Sequence, residues 1–262
     1  MDLIAKSLRI RCLELAHLCK DGNLQSAFSS VDIIRVLYES VLKGECRGSR
    51  YLLSDSFIIS KGQATLALYA VLVRHAILSR DAFDDIGQFH ANFSNQVDVT
   101  KLNGEIDNSA GSLGHGFPYA VGMAMANKIK GSPSHIYVLA GDGEFNEGTM
   151  WESCLVAASK KLDNLCVIVD DNHSAGAMID MGSLADKLLS FGFYVSVVDG
   201  HDSSSLKSAL LPKPYLGGRP RAIIAHTQRG YGSPTLQSDP IWFHKYPNEE
   251  ELQSMIKEIQ DL

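Results

Sequence analysis

Short apolar runs alternate along the chain with longer segments in which apolar residues recur every three or four positions. The short runs are typical of buried strands, and the longer periodic segments are typical of helices. This alternation favours an α/β fold in three layers, α/β/α, with helices on both faces of a mainly parallel sheet. The predicted strands are residues 57–60, 136–140, 165–169, 193–198 and 221–226.

Helical patterns fill most of the chain between these strands. They are predicted at residues 3–19, 63–78, 115–130, 147–160, 183–191, 203–210 and 249–260. A further helical pattern runs over residues 31–41, with Ser30 as its expected N-cap. The connections at 85–112 and 226–247 are long, which in a compact domain usually indicates a functional role or a bound partner. Because no repeat or linker interrupts the pattern, we expect residues 1–262 to form a single domain.

Composition and charge exclude several functional classes. The net charge of -6 and the pI near 5.8 argue against a nucleic-acid partner. No apolar run reaches the length of a membrane span, and the first residues lack a basic-then-apolar leader pattern. The five cysteines are odd in number and form no CxxC motif, so we expect them to be reduced. These features predict a cytoplasmic protein that binds neither nucleic acid nor membranes.

Polar residues directly follow two of the predicted strands. Residues 141–144 read Gly-Asp-Gly-Glu, and residues 170–172 read Asp-Asp-Asn. Parallel strands joined by a crossover helix end at the same edge of a sheet, so Asp142 and Asn172 are expected to converge. Carboxylate and amide oxygens suit Mg²⁺, while Gly143 and the following helix N-terminus let a diphosphate approach the backbone. The alternative is a plain strand-turn-helix capped by Asp142, and the pairing favours a metal-diphosphate site.

This spacing resembles the signature of thiamine-diphosphate enzymes, and the surrounding sequence resembles the transketolase family. Residues 141–152 are similar to that family's GDGE-x-x-EG-x-x-WE run, and residues 161–165 to its KLDNL. Residues 108–116 resemble its GSLG-x-G loop, and residues 59–62 its SKG motif. The resemblance spans about residues 5 to 255. It implies a thiamine-diphosphate-binding fold that holds thiamine diphosphate and Mg²⁺, with Ca²⁺ or Mn²⁺ as alternative metals.

The resemblance also implies a set of site residues. Asp142, Asn172 and the backbone carbonyl of Ser174 would bind the metal. Glu147 would lie at a subunit interface, although a first-turn glutamate also stabilises a helix without further function. The positions implied in cofactor binding are Gln63, Gly111, Ser112, Leu113, Gly141, Asp142, Gly143, Glu144 and Asn172.

Three expected histidines are replaced or displaced. Asn23 stands in the motif that usually reads GHPG, Gln63 ends the motif that usually reads SKGH, and His244 lies one position beyond the expected WHGK histidine. Asn and Gln form hydrogen bonds but carry no proton near neutral pH. Either the substrate is altered or activity is weak or lost, and the intact cofactor motifs favour an altered substrate. Gln63, His115 and His244 are the catalytic candidates, with His226 as another compensating histidine; a structural role is the alternative for each histidine.

The resemblance further implies that a pyrimidine-binding domain completes the active site, and this chain has no room for one. We therefore expect the N-terminal subunit of a split transketolase, which pairs with a C-terminal subunit in an α2β2 heterotetramer. Such an enzyme transfers a two-carbon ketol unit from a ketose-type donor to an aldehyde acceptor, and the replaced histidines favour unusual sugars as its small-molecule substrates. The alternatives are the α-type subunit of a 2-oxo acid dehydrogenase and a non-catalytic assembly subunit.

Overall fold

The computed structural model describes residues 1–47, 50–101, 106–174, 179–213 and 217–262. A parallel sheet of five strands forms its centre. An antiparallel hairpin of β1 (Gly44–Arg47) and β2 (Arg50–Leu53) precedes the sheet. The strands of the sheet are β3 (Ser56–Ile59), β4 (Ile136–Gly141), β5 (Leu165–Asp171), β6 (Tyr194–Asp199) and β7 (Arg221–His226). Their neighbour order is β3-β4-β5-β7-β6. All five predicted strands are thereby confirmed.

Helices cover both faces of this sheet. They are α1 (Leu3–Cys19), α2 (Leu24–Val36), α3 (Thr65–Arg74), α4 (Gly116–Ile129), α5 (Gly148–Ser159), α6 (Leu184–Ser190), α7 (Ser203–Leu210), α8 (Pro234–Ser238) and α9 (Glu249–Asp261). One core contains residues of α1, α2, α3, α7 and α9, and a second core contains residues of α4, α5 and α6. Within β5, Ile168 packs in the first core and Val167 in the second, as strand alternation requires. The three-layer α/β/α prediction is confirmed.

The prediction for α2 is wrong at its start. The helix begins at Leu24, and its N-cap position is Asn23, which has a left-handed φ of 64°. Ser30 therefore lies inside the helix. Every residue of α2 is buried, including the polar residues Gln25, Ser26, Ser29 and Ser30 of its first half. Periodicity locates a helix by an apolar stripe, and these polar residues break the stripe before Val31. A π-helical turn over Leu37–Val41 extends the helix to the predicted end.

The sequence also left two elements unpredicted. The hairpin of β1 and β2 is short, and α8 lies inside the loop expected at 226–247. In the part of the chain that the structure describes, no helix is long and apolar enough to cross a membrane. The described cysteines, Cys12, Cys19, Cys154 and Cys166, are free thiols, as expected.

Candidate active site

Oxygen donors converge where β4 and β5 end. The parallel register pairs Gly141 with Asp170 and thereby brings Asp142 close to Asn172. Both side chains are buried, with 3% and 7% of their surface exposed. Ser174 links them, because its hydroxyl donates to Asp142 Oδ1 at 2.5 Å and its N–H donates to Asn172 Oδ1 at 3.1 Å. This set of hard oxygen donors fits a small divalent cation such as Mg²⁺.

A buried ion pair lies beside these donors at the same edge of the sheet. Asp170 is fully buried and pairs with the ammonium of Lys61. Its carboxylate also accepts hydrogen bonds from Ser29 at 2.6 Å, from Ser30 at 2.8 Å and from Thr227. Burial would raise the pKa of Asp170, but the Lys61 charge and these hydrogen bonds hold the pKa below its ordinary value. One carboxylate thus joins α2, the loop after β3 and the end of β7.

The two features are connected. Asn172 Nδ2 donates to the Ser29 hydroxyl at 3.3 Å, and the same hydroxyl donates to Asp170. Sequence reasoning treated residues 170–172 as one motif and assigned no role to Asp170. Strand alternation was the available signal, since it turns Asp170 and Asp171 towards opposite faces of the sheet.

Many of the predicted cofactor residues line one cleft of about 270 Å³ beside these oxygen donors. Gly141 and Gly143 line it at the carboxyl end of β4. The other lining residues come from loops and helix ends, and they are Ser26, Lys61, Gln63, Leu113, Glu144, Asn146, Glu147, Ser174, Arg229 and Phe243. The structure thus brings Gln63, Leu113 and Glu147, which the sequence singled out separately, to one cleft.

Other predicted residues lie outside this cleft. Gly111, Ser112 and His115 are exposed and line a separate depression of about 170 Å³. His244 is also exposed and does not line the cleft; its neighbour Phe243 does. The chain is fixed there, because the N–H of Asn23 donates to the Phe243 carbonyl at 2.9 Å. The geometry does not place His115 or His244 among the residues that line the cleft.

Glu144 is a buried carboxyl group in the wall of the cleft. The Ser60 hydroxyl donates to its Oε2 at 2.5 Å. Burial raises the pKa of Glu144 to about 7, although the Ser60 hydrogen bond and the Lys61 charge oppose the shift. A carboxyl group whose pKa is raised in this way holds its proton to higher pH than an exposed one, and the protonated form can donate as well as accept a hydrogen bond.

Arg229 adds a second cation that sequence reasoning missed. It is half-buried in the wall of the cleft, and its guanidinium lies 5.9 Å from the centroid of the Phe243 ring. Its guanidinium brings a positive charge to the cleft wall, which suits an anionic ligand, whereas the charge of Lys61 is paired with Asp170. The prediction that the long loop at 226–247 is functional was the only signal for this residue.

A buried network fixes the loop that carries Arg229. Arg9 donates to the Tyr231 carbonyl at 2.7 Å and pairs with Asp32 at 2.7 Å. The His201 ring stacks on Tyr231 at 3.6 Å, accepts from the Gln228 N–H at 3.0 Å and donates through Nδ1 to Asp32 at 2.9 Å. Burial would raise the pKa of Asp32, but the hydrogen bond from His201 and the Arg9 charge bring the pKa below 3.8.

Comparison with known proteins agrees with this geometry. Residues 2–256 match the family described as transketolase, thiamine diphosphate binding domain. One subunit of the apulose-4-phosphate transketolase of Actinobacillus succinogenes is 33% identical over 98% of this chain and 95% of that relative. The 6-deoxy-6-sulfo-D-fructose transketolase subunit SqwG of a Clostridium species is 30% identical over 89% of this chain and 87% of that relative.

A solved structure shows the same fold. Transketolase from Campylobacter jejuni superposes with a TM-score of 0.84 at 24% sequence identity. The match covers 99% of this chain and 43% of that transketolase, so the chain spans less than half the length of the solved protein. The two relatives named above, in contrast, match it over nearly their whole length.

Proposed function

Because the chain belongs to the family of transketolase thiamine-diphosphate-binding domains, we propose that it is the cofactor-binding subunit of a two-chain transketolase. The enzyme transfers a two-carbon ketol unit from a ketose-type donor to an aldehyde acceptor. One observation carries this proposal: Asp142, Asn172 and Ser174 converge beside a cleft of about 270 Å³. The oxygen donors suit a metal-bound diphosphate, and the cleft extends from them along residues of several loops.

Each part of the site then has a defined task. Thiamine diphosphate, when bound, supplies the carbon centre that takes up and releases the two-carbon unit. Asp142, Asn172 and the Ser174 carbonyl hold Mg²⁺, with Ca²⁺ or Mn²⁺ as substitutes. Arg229 offsets part of the negative charge of the diphosphate. Gly143 lines the cleft and has no side chain that would keep its backbone away from the diphosphate.

The organisation of the relatives supports a partner chain. Two of them are named as subunits and have nearly the length of this chain, whereas a solved transketolase is more than twice as long. We infer that a C-terminal subunit carries the pyrimidine-binding domain and that the complex is an α2β2 heterotetramer. Glu147 is exposed at the cleft, which supports a contact with that partner. Tyr119 and Leu155 on α4 and α5 expose apolar surface of the kind that partners cover.

We expect the complex to lie in the cytoplasm, because the described cysteines are free thiols.

The substrate is expected to be an unusual sugar. Gln63 and Phe243 line the cleft where the family resemblance leads one to expect histidines. The relatives are named for apulose 4-phosphate and 6-deoxy-6-sulfo-D-fructose, both of which carry an anionic group. We infer that the donor is a ketose with an anionic terminus. We also infer that its reaction requires no proton transfer at the position of Gln63, because an amide carries no titratable proton.

The alternatives are weaker. A 2-oxo acid dehydrogenase subunit would share the metal motif, but the family match is to transketolase and favours ketol transfer. A non-catalytic assembly subunit would have no need of converging metal donors.

Activity of the two-chain complex tests the proposal. The chain and its partner are purified together and assayed with thiamine diphosphate, Mg²⁺ and a panel of ketose phosphates, sulfonated ketoses and pyruvate. We expect ketol transfer from at least one ketose and none from either chain alone. Asp142→Ala should abolish it, whereas Asp163→Ala, at an exposed ion pair, should not. Turnover by the single chain, or turnover of pyruvate alone, would contradict the proposal.

A further inference from the structure

Three metal-ligating side chains gather on the face of the sheet opposite the Lys61–Asp170 pair. Asp171 and His226 are register partners at the carboxyl ends of β5 and β7. His226 Nδ1 lies 2.9 Å from Asp171 Oδ2, and His173 Nδ1 lies 3.3 Å from Asp171 Oδ1. The candidate ligand atoms all lie within 4.8 Å of one another. Both carboxylate oxygens of Asp171 thus face a histidine ring.

Local backbone geometry brings His173 to this position. The residue has a φ of 59°, in the left-handed region that side chains other than glycine adopt uncommonly. Such conformations persist where the surrounding structure or a ligand supports them. The turn follows β5 directly and brings the ring within 6.1 Å of the His226 ring, centroid to centroid.

The ligand chemistry differs from that of the Mg²⁺ site. Two imidazoles and one carboxylate suit Zn²⁺, Ni²⁺ or Co²⁺, whereas Mg²⁺ prefers oxygen ligands alone. Bonds of about 2.0–2.2 Å in a tetrahedral Zn²⁺ site separate neighbouring ligand atoms by roughly 3.3–3.5 Å. The separations of 2.9 and 3.3 Å run to different oxygens of Asp171, and the ligand atoms of the three residues lie within 4.8 Å of one another. A metal ion would therefore be reached by rotation of the exposed histidine rings.

The surroundings favour a cation. The three side chains line a cavity of about 480 Å³ that Asp142 and Asp180 also line. The His173 and His226 side chains are 76% and 53% exposed, which leaves coordination positions open to water. His90 and Asp85 form an ordinary surface pair for comparison. Their closest atoms are 4.0 Å apart, and neither residue belongs to the group of Asp171, His173 and His226.

We propose that Asp171, His173 and His226 form a transition-metal site of the Zn²⁺ type, separate from the Mg²⁺ site. The proposal does not depend on the ketol-transfer activity. A bound ion would cross-link the ends of β5 and β7. It would thereby fix His173, which lies in the chain between Asn172 and Ser174.

Zn²⁺ binding in the presence of excess Mg²⁺ tests this proposal. Calorimetric titration of the metal-free protein should show one equivalent of Zn²⁺, and Co²⁺ should give visible ligand-field absorption. His173→Ala and His226→Ala should each weaken binding roughly tenfold or more, since even outer-shell changes have effects of this size. His90→Ala is the matched control and should bind as the parent protein does. Because these rings are largely exposed, the variants should keep the circular dichroism of the parent.

Two results would overturn the site. One is a parent protein that takes up no Zn²⁺ in excess Mg²⁺, or whose two histidine variants bind Zn²⁺ unchanged. The other is Zn²⁺ binding that Asp142→Ala abolishes while His173→Ala and His226→Ala leave it intact, which would place the ion in the Mg²⁺ site. Loss of cofactor binding has no bearing on these readouts, so the two proposals fail independently.

Discussion

Removing the charge of Asp170 should destabilise the protein strongly. Asp170→Asn keeps the volume of the side chain and one oxygen acceptor, but it leaves the ammonium of Lys61 without its counter-charge. Both side chains are buried, with 0% and 6% exposed. The substitution therefore isolates a charge in the interior instead of removing a surface contact.

The burial of both side chains determines how large the loss of stability should be. Breaking a buried ion pair by removal of one partner costs roughly 3–5 kcal/mol. Domains of this kind have total stabilities of roughly 5–15 kcal/mol, so the variant should lose a large fraction of its stability. At roughly 2–4 °C per kcal/mol for a chain of this size, the melting temperature should fall by roughly 6–20 °C.

Urea unfolding of the cofactor-free protein, followed by circular dichroism, measures the effect without a contribution from ligand binding. Asp163→Asn is the control, because Asp163 and its partner Lys128 are both exposed. Loss of this surface pair should lower the free energy of unfolding by about 1 kcal/mol or less. Adding Lys61→Met to Asp170→Asn removes both charges and should restore part of the lost stability. The reasoning is refuted if Asp170→Asn unfolds like the control, or if the second substitution restores nothing.

Two further predictions concern the loop of Arg229. The pKa of Asp32 lies below its ordinary value of 3.8 in the folded state, so its charge stabilises the fold above that pH and this contribution disappears as the pH falls. The parent protein should therefore melt at a higher temperature than Asp32→Asn at about pH 6, and this difference in melting temperature should shrink below pH 3.8. A difference that stays constant with pH would contradict this. Arg229→Met should weaken thiamine diphosphate binding about tenfold, the equivalent of about 1.4 kcal/mol, whereas Arg219→Met, at a stacked surface arginine, should not. Equal affinities in calorimetry would show that Arg229 does not contact the diphosphate.

The sheet was predictable because its strands are short, largely apolar and bounded by polar residues. The convergence of Asp142 and Asn172 followed from the same pattern, since parallel strands end at one edge. The Lys61–Asp170 pair was not predictable, because its members are 109 residues apart and only the folded sheet brings them together. The role of Arg229 likewise depends on a loop whose path is set by His201 and Tyr231.

The position of the displaced histidine shows what residue spacing cannot give. Counting residues in the motif suggested that His244 had moved by one position within the site. The structure instead fixes this segment through the bond from Asn23 to the Phe243 carbonyl, and it places Phe243 in the cleft. A one-residue shift changes which side chain faces a site, and sequence spacing alone does not show which one does.

Metal-dependent cofactor binding tests the central claim most directly. Thiamine diphosphate is titrated into the complex of this chain with its partner, once with Mg²⁺ and once with EDTA. The account predicts tight binding with Mg²⁺, weak binding with EDTA, and loss of the metal dependence in Asp142→Ala. A complex that assembles but binds no thiamine diphosphate under either condition would contradict the account and would leave only an assembly role for this fold.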